Sequence, residues 1–434
     1  MRLPLVTLIA LITPLLAQAE QLPNPLTLDH ALELANTSTH PEVMLRQADM
    51  EQARALSLDV GSNDDFEVHL ELSPRWIVPP LISPQDQNDS QAHLIARKRL
   101  YDFGQTKNLR DAAELNETAK KYLYTQAQNQ LRLSIMQRYF EVLIADTEFA
   151  VENEAMAVAY VQFDKAKDRH ELGQLSDTEL LKIETEYQNI RLSRYQAQTQ
   201  QRASRSLLAQ ALNQPTELPS DLEFPTLTGN DRKLPEYEEL VSQAMTSNLN
   251  LIAYKTELEA TRHQMEASRS TNYPVLSGDV QASYYNREFG SRNPFEAGVT
   301  LNIPLYTGDR KAAATTEDHA EFMRLQAEMK SQEYTIRQQL LEAWQKIQTL
   351  KAQREQASTL SEYRELYLDR SRALYEYEVT TDLGDAMAKQ TEARLLTLRT
   401  EFELALTWGL IDVLLGKAPL SPDDSPLTLN QETP

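Results

Sequence analysis

Leu100-Tyr101-Asp102-Phe103-Gly104 returns 205 positions later as Leu305-Tyr306-Thr307-Gly308. On both occasions the segment closes a pair of alternating, strand-like stretches and opens a very long helical run, so the chain reads as a tandem duplication of one unit. Two copies of the order helix, strand, strand, long helix, turn and helix describe a pseudo-twofold protomer that encloses nothing alone. Its function is therefore expected in an assembly.

A length of 434 residues is compatible with two or three domains, but the interleaved repeat argues for one elongated body. The formal net charge of −21 disfavours nucleic acid and anionic membrane surfaces as partners, because a binder of phosphate needs a basic face. Residues 1–19 read as a secretory signal: Arg2 gives the positive start, Leu3 to Leu16 is mostly apolar, and Ala17-Gln18-Ala19 supplies the small-x-small cleavage pattern. The mature chain is expected to start at Glu20. With no cysteine, disulfides and thiolate metal sites are excluded. Outside the signal no stretch approaches the ~20 apolar residues of a spanning helix, so any membrane passage must use strands.

Strand signals come in two pairs. Phe66, Val68, Leu70 and Leu72 alternate with Glu67, His69 and Glu71; after a Pro/Asp/Asn-rich loop, Ala92, Leu94, Ala96 and Leu100 oppose His93, Arg97 and Arg99. In the second copy Leu276, Val280, Ala282 and Tyr284 oppose Ser277, Asp279, Gln281 and Ser283, then Phe295, Ala297, Val299, Leu301 and Ile303 oppose Glu296, Thr300 and Asn302. Strands are expected at about 66–76, 91–101, 275–285 and 295–305, each about 10 residues, the length of a tilted strand crossing a bilayer. Pro74 must sit near a strand end, because it has no N–H for the ladder. Trp76, Tyr285, Phe289 and Phe295 stand near the strand ends as an aromatic girdle does. The competing reading is the half-buried sheet of a soluble protein, which produces the same alternation.

Neither glycine nor proline interrupts the runs Gly104–Gly173 and Gly308–Glu378. At ~1.5 Å per residue each spans about 100 Å as a helix, longer than a typical globular domain. Ile135, Val142, Phe149, Met156 and Phe163 stand seven apart, as do Leu360, Tyr367 and Leu374, the mark of coiled-coil packing. The neighbouring row Met136, Leu143, Ala150 and Ala157 widens the apolar face, as suits a helix touching neighbours on both sides. The first repeat is expected at 20–215 (long helix about 105–170, return helix about 176–212) and the second at 236–416 (long helix about 309–375, return helix about 383–415). A proline-bearing linker at 216–235 separates them, and 417–434 reads as a flexible tail.

These residues resemble the TolC-like outer-membrane efflux protein family across essentially the whole mature chain. The resemblance is carried by Leu26-Thr27-Leu28-Asp29-His30-Ala31-Leu32-Glu33-Leu34-Ala35 with His40-Pro41-Glu42-Val43, by its echo Glu239-Leu240-Val241-Ser242-Gln243-Ala244 with Asn248-Leu249-Asn250-Leu251, by the Leu-Tyr-x-Gly junctions, and by Glu171-Leu172-Gly173-Gln174-Leu175-Ser176-Asp177-Thr178-Glu179. It implies an α+β membrane protein: a homotrimer in which four strands per protomer close a twelve-stranded outer-membrane β-barrel, continued through the periplasm by a long α-helical barrel. Closure agrees with the strand edges, which lipid forbids, and with the size of a conducting pore. Glu67, His69, Glu71, Asp279, Gln281 and Glu296 are then expected to face the lumen.

The resemblance further implies an exit duct of tripartite efflux or type I secretion, docked at its helical tips by a periplasmic adaptor that links it to an inner-membrane transporter. The tips correspond to Gly173, Leu175 and Ser176 in the first copy and Val379 and Thr381 in the second, where Glu378 replaces the usual glycine. Tyr375 matches the tyrosine of the family's entrance network, while Gly384 and Met387 stand where acids are expected. Asp382 and Asp385 are adjacent, so the choice lies between an acidic constriction and solvated helix-end charge.

No catalytic constellation, cofactor motif or phosphate loop appears, and no enzyme activity is expected. His69 and His93 read as pore-lining rather than metal-binding. The rival from another class is a soluble periplasmic coiled-coil adaptor or structural protein, although an adaptor normally carries one hairpin between Gly-rich β domains. Drug, metal ion and secreted polypeptide all stay open as cargo.

Overall fold

The computed structural model describes residues 22–36, 40–78, 87–216, 220–287, 292–377 and 383–419. The expected signal segment, most of the expected tail, Phe289, Glu378, Val379, Thr381 and Asp382 lie outside these residues.

Repetition governs the element order. Helices α1 (Leu28–Glu33) and α2 (Pro41–Ser62), strands β1 (Glu67–Ser73) and β2 (Gln91–Tyr101), and helices α3 (Gln105–Glu171) and α4 (Asp177–Ala211) form the first copy. The second copy consists of α5 (Tyr237–Ser247), α6 (Leu249–Ser270), β3 (Val275–Tyr285), β4 (Phe295–Asn302), α7 (Arg310–Glu376) and α8 (Leu383–Leu414). Both long helices have 67 residues, and both pre-strand helices have 22. Caps explain the starts: His40 Nδ1 accepts from Glu42 N at 3.4 Å with Pro41 at the first helical position, where a missing N–H costs nothing. Asn248 ends α5 and begins α6, its side chain accepting from Leu251 N (3.2 Å) and donating to the Leu414 carbonyl (2.9 Å).

The four strands form one antiparallel sheet in the order β1-β2-β3-β4, so the two copies meet between β2 and β3. β2 and β3 have the expected length, 11 residues each, whereas β1 has 7 and β4 has 8. The outer strands stop short of the expected 76 and 305 because Pro74 and Pro304 follow within two residues and have no N–H to pair. A register shift between Arg99 and Tyr101 places Leu100 over Gly278, where an added Cβ would approach the Leu100 side chain to 3.2 Å.

The chain divides into two compact units. One holds residues 134–227 and 357–399 with the N-terminal 37 residues. In it Ile135, Met136, Tyr139, Phe140, Val142, Leu143 and Phe163 of α3 are buried. The second row is covered only at Met136 and Leu143, whereas Ala150 and Ala157 are exposed. The Tyr139 hydroxyl donates to the carbonyls of Leu26 (2.7 Å) and Glu223 (2.6 Å), tying the first half of the linker to α3; burial pushes this phenol's pKa well up.

The other unit holds the sheet, residues 38–133, 228–356 and 400–434. Its core is the face of α7 formed by Ile336, Leu340, Ala343, Ile347 and Leu350, spaced alternately four and three apart, packed with Leu240, Leu251, Leu404, Trp408 and Ile411. The second half of the linker is fastened here, with Arg232 on Asp412 (2.9 Å) and Asn230 on the Glu401 carbonyl (3.0 Å). Gly416 (φ +75°) passes so close that a Cβ would lie 2.2 Å from the Ser247 carbonyl oxygen.

Candidate functional site

Cross-strand register brings the polar residues of all four strands to one face. Directly opposed residues in an antiparallel ladder project to the same side, and the pairs run Glu67–Arg97–Asp279–Gly298, His69–Ile95–Gln281–Glu296 and Glu71–His93–Ser283. The six residues Glu67, His69, Glu71, Asp279, Gln281 and Glu296 therefore share a face. Arg97 stands between two carboxylate-bearing positions in the first row, a pairing that only register reveals. His69 Nε2 lies 2.9 Å from Glu67 Oε1, and His93 Nδ1 lies 2.9 Å from Ser283 Oγ and 3.1 Å from Gln281 Nε2.

The opposite face is apolar and uncovered. Phe66, Val68, Leu70 and Leu72 of the first copy and Tyr284, Phe295, Val299 and Leu301 of the second are all more than half exposed. Among the described residues nothing covers these side chains, the inverse of a half-buried soluble sheet. One aromatic expectation is corrected: Tyr285 turns to the polar face, its ring edge-on to His93 at 5.5 Å, because it shares the odd-numbered phase of Asp279 and Gln281. Tyr284, 70% exposed, occupies the apolar rim instead.

At the C-terminal end of α3 the hairpin tip is built by local rules. Gly173 (φ +70°) donates its N–H to the His170 carbonyl (2.8 Å) and Gln174 N donates to the Arg169 carbonyl (2.8 Å), the Schellman termination. Leu172 is left 71% exposed. Ser176 caps α4 reciprocally with Glu179: Glu179 N donates to Ser176 Oγ (3.3 Å), and Ser176 N donates to Glu179 Oε2 (3.1 Å). Hydrogen bonds from the Ser176 backbone and then its hydroxyl hold the Glu179 carboxyl below its usual range. Leu175 is half-buried between these caps.

The gate candidates are not assembled in the same way. Tyr375 is 55% exposed near the end of α7, and Asp385 is exposed in the first turn of α8. Asp385 borders a cavity of about 710 Å³ that also exposes Glu148, Glu152, Lys389, Glu392 and Arg399. Burial, then the charges of Glu148 and Glu392, raise the Glu152 carboxyl above its ordinary value. The spacing signal missed this group because Glu152 and Glu392 lie 240 positions apart in the chain. Beside the cavity α8 presses on α3 at Gly384, where a Cβ would come within 2.8 Å of Val158 Cγ2. Among the described residues no group of three His, Cys, Asp or Glu side chains has metal-binding geometry, and no helix is long and apolar enough to cross a membrane.

The family model described as "Outer membrane efflux protein" matches residues 240–409. Among curated proteins the chain is 24% identical over 220 residues to the outer membrane protein TolC of Vibrio cholerae serotype O1, covering 49% of this chain and 50% of that one. It is 23% identical over 259 residues to the outer membrane efflux protein BepC of Brucella suis biovar 1, covering 58% and 55%. The matches thus span about half the length of these relatives. In three dimensions the chain superposes on the outer membrane protein VceC of Vibrio cholerae with a TM-score of 0.70 at 17% identity, covering 90% of this chain and 96% of that one. The chain has the fold of that outer membrane protein.

Proposed function

We propose that the chain, whose residues 240–409 match the model of the outer membrane efflux protein family, is a member of that family and the passive outer-membrane exit duct of a tripartite efflux or type I secretion system. The observation that carries this reading is the sheet with one charged face, one bare apolar face and two open edges. In lipid an open edge leaves N–H and C=O groups without partners, so β1 of one copy must meet β4 of the next. Two copies give a barrel that its own side chains fill; three give twelve strands and a lumen lined by Glu67, His69, Glu71, Asp279, Gln281 and Glu296.

The helices support the same closure. In the sheet-bearing unit the helical residues with exposed large apolar side chains are Met44, Leu45, Leu56 and Leu58 of α2 and Met323 and Tyr334 of α7. These helices adjoin β1 and β4, the outer strands, whereas α3 and α6 adjoin the inner ones. A second copy of the chain on each side is the occupant that covers both.

Conduction through such a duct needs no reaction, so its residues act by lining, sealing and docking. The exposed tip around Gly173, Leu175 and Ser176, with Val379 and Thr381 of the second hairpin, is the site for a periplasmic adaptor that connects an inner-membrane transporter. Tyr375, Asp382 and Asp385 belong to the entrance, where contacts of a few kcal/mol keep the resting state closed until the adaptor outweighs them.

Fractionation followed by cross-linking tests the reading. The expected result is a trimer in the outer-membrane fraction whose conductance in a planar bilayer is very low and rises when Asp385→Asn or Tyr375→Phe weakens the tip. A monomer released with the soluble periplasmic proteins would overturn it.

A further inference from the structure

Among the described strands one charged residue stands in the apolar phase of the sheet, Lys98. Cross-strand register sets it opposite Gly278, which in turn opposes Val299, so it shares the face of Leu94 and Val280 and not that of its neighbours Arg97 and Arg99. Continuing the β1–β2 ladder one step beyond Glu67–Arg97 brings Phe66 opposite Lys98, and the ammonium lies 4.8 Å from the centre of the Phe66 ring. Arg99 is taken up by Thr106 (2.7 Å) and Asp102 (3.5 Å), whereas no carboxylate among the described residues pairs with Lys98.

The place of this charge along the strand decides its meaning. An ammonium in the middle of a lipid-facing strand is costly; at the rim the stem lies along apolar surface and the charge reaches the headgroups. Lys98 stands near the C-terminal end of β2, from which α3 starts, and aromatic rings gather at the same rim. The register shift after Arg99 turns Tyr101 from the polar side to the side of Leu276, as a bulge re-aims a side chain. Phe103 meets Tyr101 (4.8 Å) and Tyr273 (5.6 Å) edge-on, and Lys311, in the first turn of α7, brings its ammonium to 5.5 Å from the Tyr273 ring. Phe66, Tyr101, Phe103 and Tyr273 are all exposed. Lys311 likewise pairs with no carboxylate among the described residues. The chain carries a net charge of −21, yet it leaves these two ammonium groups unpaired among exposed rings.

We propose that Lys98 and Lys311, framed by Phe66, Tyr101, Phe103 and Tyr273, bind anionic phospholipid headgroups of the leaflet next to the helices. The inference rests on the duct reading, which places the apolar face in a bilayer, and deepens it by naming the leaflet and the sign of the headgroup. Aromatic rings settle at the level of the headgroups, and each lysine there attracts a lipid of net negative charge. The preference is local, since the chain as a whole repels anionic surfaces. A second copy is not the occupant, because Tyr101, Phe103 and Tyr273 flank the inner strands β2 and β3 while the open edges are β1 and β4.

Native mass spectrometry of the detergent-solubilised full chain, titrated with phosphatidylglycerol or with phosphatidylcholine, tests the site. Phosphatidylglycerol is expected to bind the parent more tightly than phosphatidylcholine. Lys98→Gln and Lys311→Gln should each weaken phosphatidylglycerol about fivefold, and the double variant about twenty-five-fold, with phosphatidylcholine unaffected. Lys98→Arg, which keeps the charge, and Lys330→Gln, at an exposed lysine elsewhere on α7, should bind like the parent, which a general charge effect or a misfolded chain does not reproduce. Unchanged phosphatidylglycerol affinity in the double variant overturns the site and leaves the duct standing; if that variant also loses its cross-linked trimer, the lysines belong to a contact with a second copy. Competition by inorganic phosphate at matched ionic strength overturns it in favour of a free-anion site. A chain that stays in solution without detergent and takes up neither lipid overturns the duct reading and the site with it.

Discussion

The two strand-to-helix junctions share a sequence motif and differ in a way that tracks their place in the sheet. Between β2 and α3, Asp102 is buried and its carboxylate receives Thr106 N (2.8 Å), the Thr106 hydroxyl and Gly104 N (3.1 Å), with Arg99 at 3.5 Å. Burial pushes this carboxyl up, but the Thr106 hydrogen bonds and Arg99 outweigh it, and the group ends below its ordinary value. Phe103 (φ +58°) and Gly104 (φ +83°) turn the chain left-handed twice in succession, and the Phe103 ring meets Tyr101 and Tyr273. Between β4 and α7 Thr307 stands in the place of Asp102, and the carboxylate of that junction, Asp309, is exposed. Thr307 Oγ1 donates to Asn272 Oδ1 (3.1 Å), Gly308 turns at φ +64°, and Leu305 and Tyr306 stand 93% and 90% exposed.

The first junction follows a strand flanked on both sides within the chain; the second follows an outer strand. An interior junction finds its partners in its own protomer and can afford a buried charge. The outer junction leaves two large apolar side chains bare, which is what a surface awaiting a neighbouring copy looks like.

Breaking the outer junction is expected to have the larger consequence. The pair Leu305→Asp and Tyr306→Asp should abolish the proposed trimer while leaving the monomer's helix content intact, measured by cross-linking and far-ultraviolet circular dichroism. An undiminished trimer would mean that this surface faces lipid or lumen and the contrast is incidental. At the inner junction Asp102→Ala removes a helix cap and strands Thr106 N and Arg99, a loss of about 2–4 kcal/mol in urea unfolding of the detergent-solubilised protein.

That loss should vanish in acid. Asp102 titrates lower when folded than the ordinary aspartate value of 3.8, so its contribution is complete above the unfolded value and disappears as pH falls through the folded one. Unfolding curves of the parent and the Asp102→Ala variant are therefore expected to begin converging below about pH 4 and to meet only below the folded value. Gly104→Ala and Gly308→Ala sharpen the comparison by their similarity. Each forces a β-carbon into left-handed backbone with no atom closer than 3.8 Å, so each should cost about 1 kcal/mol for conformation alone. Thr307→Ala, which loses one half-buried hydrogen bond, should cost about 0.5–1 kcal/mol, the smallest effect of the set.

Much of this was legible in the chain. Alternation in 66–72 and 275–285 assigned the charged and apolar faces, because side chains alternate strictly along a strand. The absence of glycine and proline over the long runs predicted helices that the structure bounds at Gln105–Glu171 and Arg310–Glu376. The return helix expected from about 176 begins at Asp177, with Ser176 as its cap. What escaped was long-range or truncated. The phase of Tyr285 relative to His93 depends on pairing across 192 positions, and the ends of β1 and β4 depend on a nearby proline whose cost differs between an outer and an inner strand.

Local periodicity and helix termini are properties of neighbouring residues, and the amino-acid order alone determined them. Tertiary structure decided which charges meet: Arg97 between Glu67 and Asp279, and Glu152 beside Glu392. Each of those encounters depends on the register of segments far apart in the chain. A one-residue slip reverses the face of every side chain in a strand, and no spacing within a strand records that register.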